Sequence, residues 1–436
     1  MERPTEMAGP PKIVVTGTGA VCGAGRAPEE ILDAIQAGRS AIAPIQQWDT
    51  TGWPTRVAAE IPDYNPSALV PDRKLHKLIR RTDLLGLYAA GRAIEASEFL
   101  GYRETLAPDA AAVANDRTGV YVGSGGGAYQ NQYDFFPLLT AADGNLNTFG
   151  QELGATVNPM WLLRTLPNNV LCHVGIRYGL KGANACVTNH VVGGTLAVIE
   201  AVQALRAGEA ERAVAIGHDT PIEPQMVFYY HRVGLLATDA VRPFDAGRDG
   251  SLFGEGAGAL VLETEAAAAG RAATVVGEIL GTGCASEAEG LFALREDGDG
   301  LARAIQLALD DAGLRTADVG MILAHGNGTR QSDASEAAAI RRAFGPAPPP
   351  ITAFKWALGH LIAASGPLET VLALTALRRR TVPGVATLRR LDPAFAELPV
   401  SARPQTPRSD VGLVLSRGFG GTNAALLVRA TASSLH

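Results

Sequence analysis

The residues best suited to covalent chemistry lie in Lys181-Gly-Ala-Asn-Ala-Cys186-Val-Thr-Asn-His190, where small residues lead into a cysteine and an apolar helical pattern runs on to about Arg206. A cysteine at a helix start meets unpaired backbone N–H groups and the positive end of the helix dipole, which favour thiolate over thiol. Cys186 is therefore a candidate nucleophile, with a buried structural cysteine as the plainer alternative. In the second half, Ala324-His325-Gly-Asn-Gly-Thr329 puts a histidine just past a buried strand, where α/β folds commonly hold ligands. Lys355-Trp-Ala-Leu-Gly-His360 supplies a lysine and a second histidine, and Glu369 beyond them is a candidate partner for His360. Ser416-Arg-Gly-Phe-Gly-Gly-Thr-Asn423 reads as a glycine-rich turn between two strands, able to aim backbone N–H groups at an oxyanion and to carry Phe419 on a mobile support.

These groups need elements to hold them. Lys12–Gly19 reads as a buried strand, followed by a helix from Pro28 to about Ala37, a proline-containing loop to about Asp72 and a helix through Leu84–Ile94. Thr118–Gly127, Arg212–Gly217 and Gly256–Glu263 read as further strands, and Tyr129–Thr156 as an irregular excursion. The order then repeats: Thr274–Gly281 parallels the first strand, Leu301–Ala312 the helix near residue 90 and Val319–Gly328 the strand ending at Gly127. The helix after His360 parallels the one after Cys186, and Val411–Leu415 and Ala424–Val428 complete the series. Two α/β halves, 12–266 and 267–430, are expected, with equivalent helices meeting in the middle.

The chain has 436 residues, is 47% hydrophobic with 50 glycines, and so can bury a large interior. Its net charge of −6 argues against general nucleic-acid binding. The four cysteines form no C-x-x-C pair, so a reducing compartment with free thiols is expected and no metal site. Residues 1–11 read as a disordered leader without signal-peptide character, and no apolar run approaches a membrane span, so cytoplasm is the expected location. Gly17, Gly19 and Gly23 do not fit a dinucleotide loop.

In their order along roughly residues 12–429, the cysteine helix, His-Gly-x-Gly-Thr, Lys-x-x-x-Gly-His and Gly-Phe-Gly-Gly-Thr-Asn resemble the elongating, two-histidine β-ketoacyl-acyl carrier protein synthases of the thiolase-like superfamily. Arg242-Pro-Phe-Asp and Asp249–Gly258 match the same pattern. The resemblance implies a duplicated α/β/α/β/α sandwich and a decarboxylative Claisen condensation in fatty-acid or type II polyketide or polyene synthesis. It implies that Cys186 holds the acyl chain as a thioester while malonyl-carrier enters, that His325 and His360 promote loss of CO₂ and stabilise the enolate, and that Lys355 orients them. It further implies an oxyanion hole from the backbone N–H groups of Cys186 and Phe419, support from Glu369, Asp333 and Glu336, and pantetheine contacts from Asn327 and Thr329. No bound cofactor or metal is implied beyond the carrier's phosphopantetheine.

Asn327 stands where the family usually has Thr, Arg417 where Phe is common, and Asn184–Thr188 lacks the usual Thr-Ala-Cys opening. Gly126 stands at the position of a bulky channel residue, which points to a roomier acyl channel. Arg73, Lys74, Lys77, Arg80 and Arg81 form a basic cluster suited to docking an acidic carrier. The partners implied are acyl carrier protein and an identical or homologous subunit, with neither nucleic acid nor membrane. The competing reading, a non-catalytic chain-length-factor-like subunit, would lack the nucleophile.

Overall fold

In the computed structural model, residues 10–125 and 135–431 are described; the leader through residue 9 and the channel position Gly126 lie outside them. The strands of the main sheet run, from one edge to the other, Ile351–Thr352, Met321–Leu323, Val411–Gly418, Thr422–Ala430, Gly277–Ser286, Ile13–Cys22, Gly256–Thr264, Arg212–Asp219, Thr118–Ser124 and Asn184–Val187. Counted outward from the middle, each half repeats one order: first strand, last, fourth, second, third. Within the main sheet, the two sets of strands join where Ile13–Val15 pairs antiparallel with Gly277–Ile279. This is the mixed α/β duplication that the repeated motifs imply.

Burial on both faces explains the strand compositions. Every residue of Thr118–Ser124 is buried, and its Val, Tyr and Gly residues carry no hydrophobic–polar alternation. Two 14-residue helices, Gly193–Arg206 and Ser365–Arg378, occupy the centre and pack on each other and on strands of both halves. The second is buried along almost its entire length. Their approach requires glycine: a Cβ on Gly194 would lie 2.1 Å from the Ala363 carbonyl oxygen, and one on Gly123 would lie 2.3 Å from Gly194.

Each central helix follows a one-turn 3₁₀ segment, His190–Val192 or Ile362–Ala364, whose first residue has a left-handed φ of 42° or 49°. The spacing is identical, since 362 − 190 and 365 − 193 both equal 172. This internal register corrects the expected placement of the cysteine. Cys186 lies on the edge strand Asn184–Val187, seven residues ahead of the helix that begins at Gly193. Small polar residues up to Asn189 cannot start the helix because Asn184–Val187 is drawn into parallel pairing with Val120–Gly123. Two further expectations shift: Phe136–Ala141 and Leu146–Thr156 are helices rather than irregular, and the strand expected from Thr274 starts at Gly277.

Candidate active site

His325 follows the strand Met321–Leu323, and His360 follows the short helix Lys355–Leu358. Their rings meet edge to face with centroids 5.2 Å apart. His360 Nδ1 accepts the Ile362 N–H at 3.0 Å, so its proton sits on Nε2 as a donor. Burial, then the Lys355 charge, pushes both imidazoles well below their ordinary value, and both are neutral at pH 7. Two neutral imidazoles suit hydrogen bonding to an enolate oxygen.

The support is one layer deeper. Lys355 Nζ meets Glu369 Oε1 at 2.7 Å with both side chains fully buried, so Glu369 pairs with the lysine rather than with His360. Glu336 accepts the His325 and Gly326 N–H groups at 2.7 and 2.9 Å, which fixes the histidine loop. Asp333 ties Gly328 N–H to Phe244 N–H. Burial raises Glu336, and raises Asp333 to about 7. These carboxylates are therefore positioning residues. Lys355→Met, which strands Glu369 as a buried unpaired charge, is expected to lower unfolding free energy by about 3–5 kcal/mol, whereas Lys355→Met with Glu369→Leu recovers most of it. Urea denaturation of the two variants measures the difference; equal losses would show that the ion pair is not what holds this layer.

A chamber of about 660 Å³ opens over the histidines, lined by His325, His360, Asn327, Thr329, Gly418, Phe419 and Val191. Asn327 Oδ1 accepts both the N–H and the hydroxyl of Thr329, so the two residues act as one polar rim. Phe419 stacks on His190 at 5.2 Å and packs against Phe292 and Tyr230. Arg417 is fully engaged beneath, with Glu287 at 2.9 Å, Asn423 and the Ser332 carbonyl. That buried ion pair explains the departure at Arg417, and Glu287 is a partner that no sequence spacing revealed.

Cys186 does not line this chamber. Ala185 packs on the central core, so the alternation of the strand turns Cys186 to the opposite face, where Sγ lies 3.4 Å from the Pro167 carbonyl oxygen. Burial raises the Cys186 thiol, the reverse of what a helix start would do. From the segment that leads into the central helix the chamber is lined by Val191, one step beyond the strained His190 and two before Gly193. A Cβ on Gly418 would lie 3.5 Å from Val191 Cβ and 3.7 Å from Val192 N, so the segment beside the Phe419 turn is Val191–Val192. The 172-residue register would have found it, because Val191-Val-Gly-Gly aligns with Ala363-Ala-Ser-Gly.

The basic cluster also divides. Arg73, Lys74 and Lys77 are exposed, but Arg80 is buried and Arg81 forks onto buried Glu255. Neither arginine is available for docking.

The model of the β-ketoacyl synthase N-terminal domain matches residues 11–268 and that of its C-terminal domain residues 276–389. The chain belongs to the β-ketoacyl synthase family. It is 31% identical over 433 residues to the 3-oxoacyl-[acyl-carrier-protein] synthase 2 of Coxiella burnetii (strain RSA 493 / Nine Mile phase I), covering 96% of this chain and 98% of that protein. To nodulation protein E of Rhizobium meliloti (strain 1021) it is 32% identical over 423 residues, covering 95% and 98%. A β-ketoacyl synthase crystal structure from Burkholderia phymatum STM815 superposes with a TM-score of 0.85 at 28% identity, covering 97% of this chain and all of that one. The ishigamide ketosynthase/chain length factor superposes with a TM-score of 0.82 at 30% identity, again covering 97% and 100%. The ketosynthase class, the thiolase-like fold and the link to carrier-dependent condensation in fatty-acid or polyketide synthesis are thereby borne out. Among the described residues no helix is long and apolar enough to cross a membrane.

Proposed function

We propose that this β-ketoacyl synthase supplies the malonyl half of the condensation. The neutral pair His325 and His360 receives malonyl-carrier, with the pantetheine arm against Asn327 and Thr329. Cleavage of the carboxylate's C–C bond releases CO₂ and leaves its electron pair in a thioester enolate, whose oxygen accepts hydrogen bonds from the imidazoles. The carboxylate supplies the carbanion, so the step draws on nothing beyond the phosphopantetheine-borne substrate. Lys355, braced by Glu369, holds the electrostatics of the pair, and Asp333 and Glu336 hold its backbone.

The observation that carries this reading is the buried, neutral pair His325 and His360 in contact at the chamber, while Val191 stands in the wall where attack on an acyl thioester would need a thiol. The acyl chain is then presented by a second, homologous subunit whose own cysteine forms the thioester; the enolate carbon attacks that carbonyl, and collapse of the tetrahedral oxyanion breaks the C–S bond and releases the cysteine thiolate. The sheet edge Asn184–Val187, with exposed Leu162, Leu163 and Ile176 on the neighbouring helices, offers a surface for such a subunit. The halves 12–266 and 267–430 would divide the work as wall and decarboxylating site, in the cytoplasm. Similarity to condensing synthases favours a catalytic chain; Val191 favours a second reading in which the chain only shapes its partner's chamber.

One assay separates them. Incubated with labelled malonyl-carrier, the purified chain is expected to release CO₂ while intact-mass spectrometry with acyl-carrier shows no adduct on Cys186. An acyl adduct on Cys186 would restore that residue as nucleophile, and absence of CO₂ release, also in the presence of the partner, would leave the shaping role. Arg73, Lys74 and Lys77 form the proposed carrier-docking face. Reversing two of these charges should raise the apparent KM for carrier-bound malonate and not for a small thioester mimic; a parallel change in both would remove docking from this face.

A further inference from the structure

The Phe419 ring, part of the wall of the histidine chamber, stands on a turn that does not hold it in place. Gly420 and Gly421 follow it with left-handed φ values of 73° and 67°. The main chain of the turn is tied by the Gly420 N–H, which donates to the Leu291 carbonyl, and by the Glu287 N–H, which donates to the Gly421 carbonyl. Those bonds fix the backbone and leave the side chain to rotate. Its position is set by the three rings that meet it among the described residues: Phe292, Tyr230 and His190. Phe292 is 54% exposed and Tyr230 is tilted at 45°, whereas His190 stacks at 22° with centroids 5.2 Å apart.

His190 is itself firmly placed. Its Nε2 shares a hydrogen bond with the Tyr230 hydroxyl at 3.3 Å, and the buried Tyr230 ring meets buried Phe253 edge to face at 4.7 Å. Phe253 lies on the segment that fixes His360. There the His360 N–H donates to the Leu252 carbonyl at 2.7 Å and the Gly254 N–H donates to the His360 carbonyl at 3.0 Å. Contacts therefore run from the backbone beside His360 through Phe253, Tyr230 and His190 to Phe419. The backbone at His190 points the same way. Its φ of 42° is one that glycine adopts without steric cost, yet the position carries an imidazole. Ile362, its counterpart 172 residues on, has the same left-handed backbone and donates its N–H to His360 Nδ1. Each half thus sets its left-handed residue against one member of the site.

We propose that His190 is a positioning residue that seats the Phe419 ring in the chamber wall at a fixed place relative to His360. His190 does not line the chamber and acts through Phe419 alone. Its effect on rate rests on the malonyl reading above, whereas its effect on the Phe419 ring rests on the contacts. One stacked aromatic pair shifts the balance between a seated and an unseated ring by about two- to tenfold. A wall that moves lets the bound thioester drift from the imidazoles, and misplaced reacting groups lose rate.

Fluorine NMR of the intact chain with 4-fluorophenylalanine at position 419 reads the ring directly. In the otherwise wild-type chain its resonance is expected well displaced from that of the free amino acid. His190→Gly, which suits the left-handed backbone, should move it toward the free value, as should His190→Asn, which also tolerates this φ and lacks the aromatic ring. His190→Phe should keep it displaced. In parallel, His190→Gly should lower kcat/KM for CO₂ release about two- to tenfold, equally for malonyl-carrier and for a small malonyl thioester. A residue that acts through Phe419 has nothing left to act on once that ring is gone. The double variant His190→Gly, Phe419→Ala should therefore be no slower than Phe419→Ala alone. An unmoved resonance in both ring-less variants, or a further loss in the double variant, would overturn the assignment. The resonance is read without substrate, so it decides the placement of Phe419 even where the malonyl reading fails for lack of CO₂ release.

Discussion

A Val191→Cys variant should become acylated by acyl-carrier where the wild-type chain does not. A thiol at this position faces His325 and His360 across the chamber, stands just before the N-terminus of the central helix Gly193–Arg206 and has the Phe419 turn beside it. Those surroundings lower a thiol's pKa and stabilise the tetrahedral oxyanion, which Cys186 on its edge strand lacks. Removing the nucleophile from a covalent enzyme can cost on the order of 10⁶-fold, so restoring one in place should raise acyl transfer by ~10³-fold or more even if imperfectly seated. Intact-mass spectrometry reads the adduct, and a Val191→Cys, Cys186→Ala double variant must behave as the single one does. A folded Val191→Cys protein that takes no acyl group, or an adduct that disappears with Cys186, would refute the placement.

The second large effect is at the histidines. His360→Ala removes the donor whose orientation is fixed by Ile362 N–H, and is expected to reduce CO₂ release from malonyl-carrier by about 10²–10⁴-fold with little change in stability to urea. The pH profile adds a check. Because burial holds both imidazoles well below their ordinary value, the neutral forms persist as pH falls through the usual histidine range, and activity is lost only in stronger acid. Wild-type CO₂ release is therefore expected to stay level from pH 8 to pH 6. A decline centred near the ordinary imidazole value of roughly 6.5 would show that the histidines are solvated, and with that the closed chamber fails.

The second half of the site was legible because its chemistry is local. His325, Lys355 and His360 each sit in a short motif whose glycines and small residues dictate a turn, and the structure brings the histidines into contact with the Lys355–Glu369 pair behind them. The repeat of strands and helices was equally legible, since continuous apolar runs and glycine turns mark buried strands without reference to anything distant. Arg80 and Arg81 misled because a run of charge in sequence carries no information about which side chains fold inward. Arg81 turned to Glu255, 174 residues away, and Arg80 to a cavity.

Cys186 shows where sequence reasoning stops. Composition fixed that a small-residue segment leads into an apolar helix, but the residue at which strand gives way to turn depended on pairing with Val120–Gly123 from another part of the chain. That pairing consumes four residues as strand, displaces the helix start to Gly193, and leaves Val191 rather than Cys186 facing the histidines. The sequence alone determined the family, the duplicated fold and the two histidines to which decarboxylation is assigned by proposal. Which atom completes the chamber was decided by a register between distant strands, because a shift of five residues along the chain both reverses the face of a strand and moves a side chain beyond reach of the site.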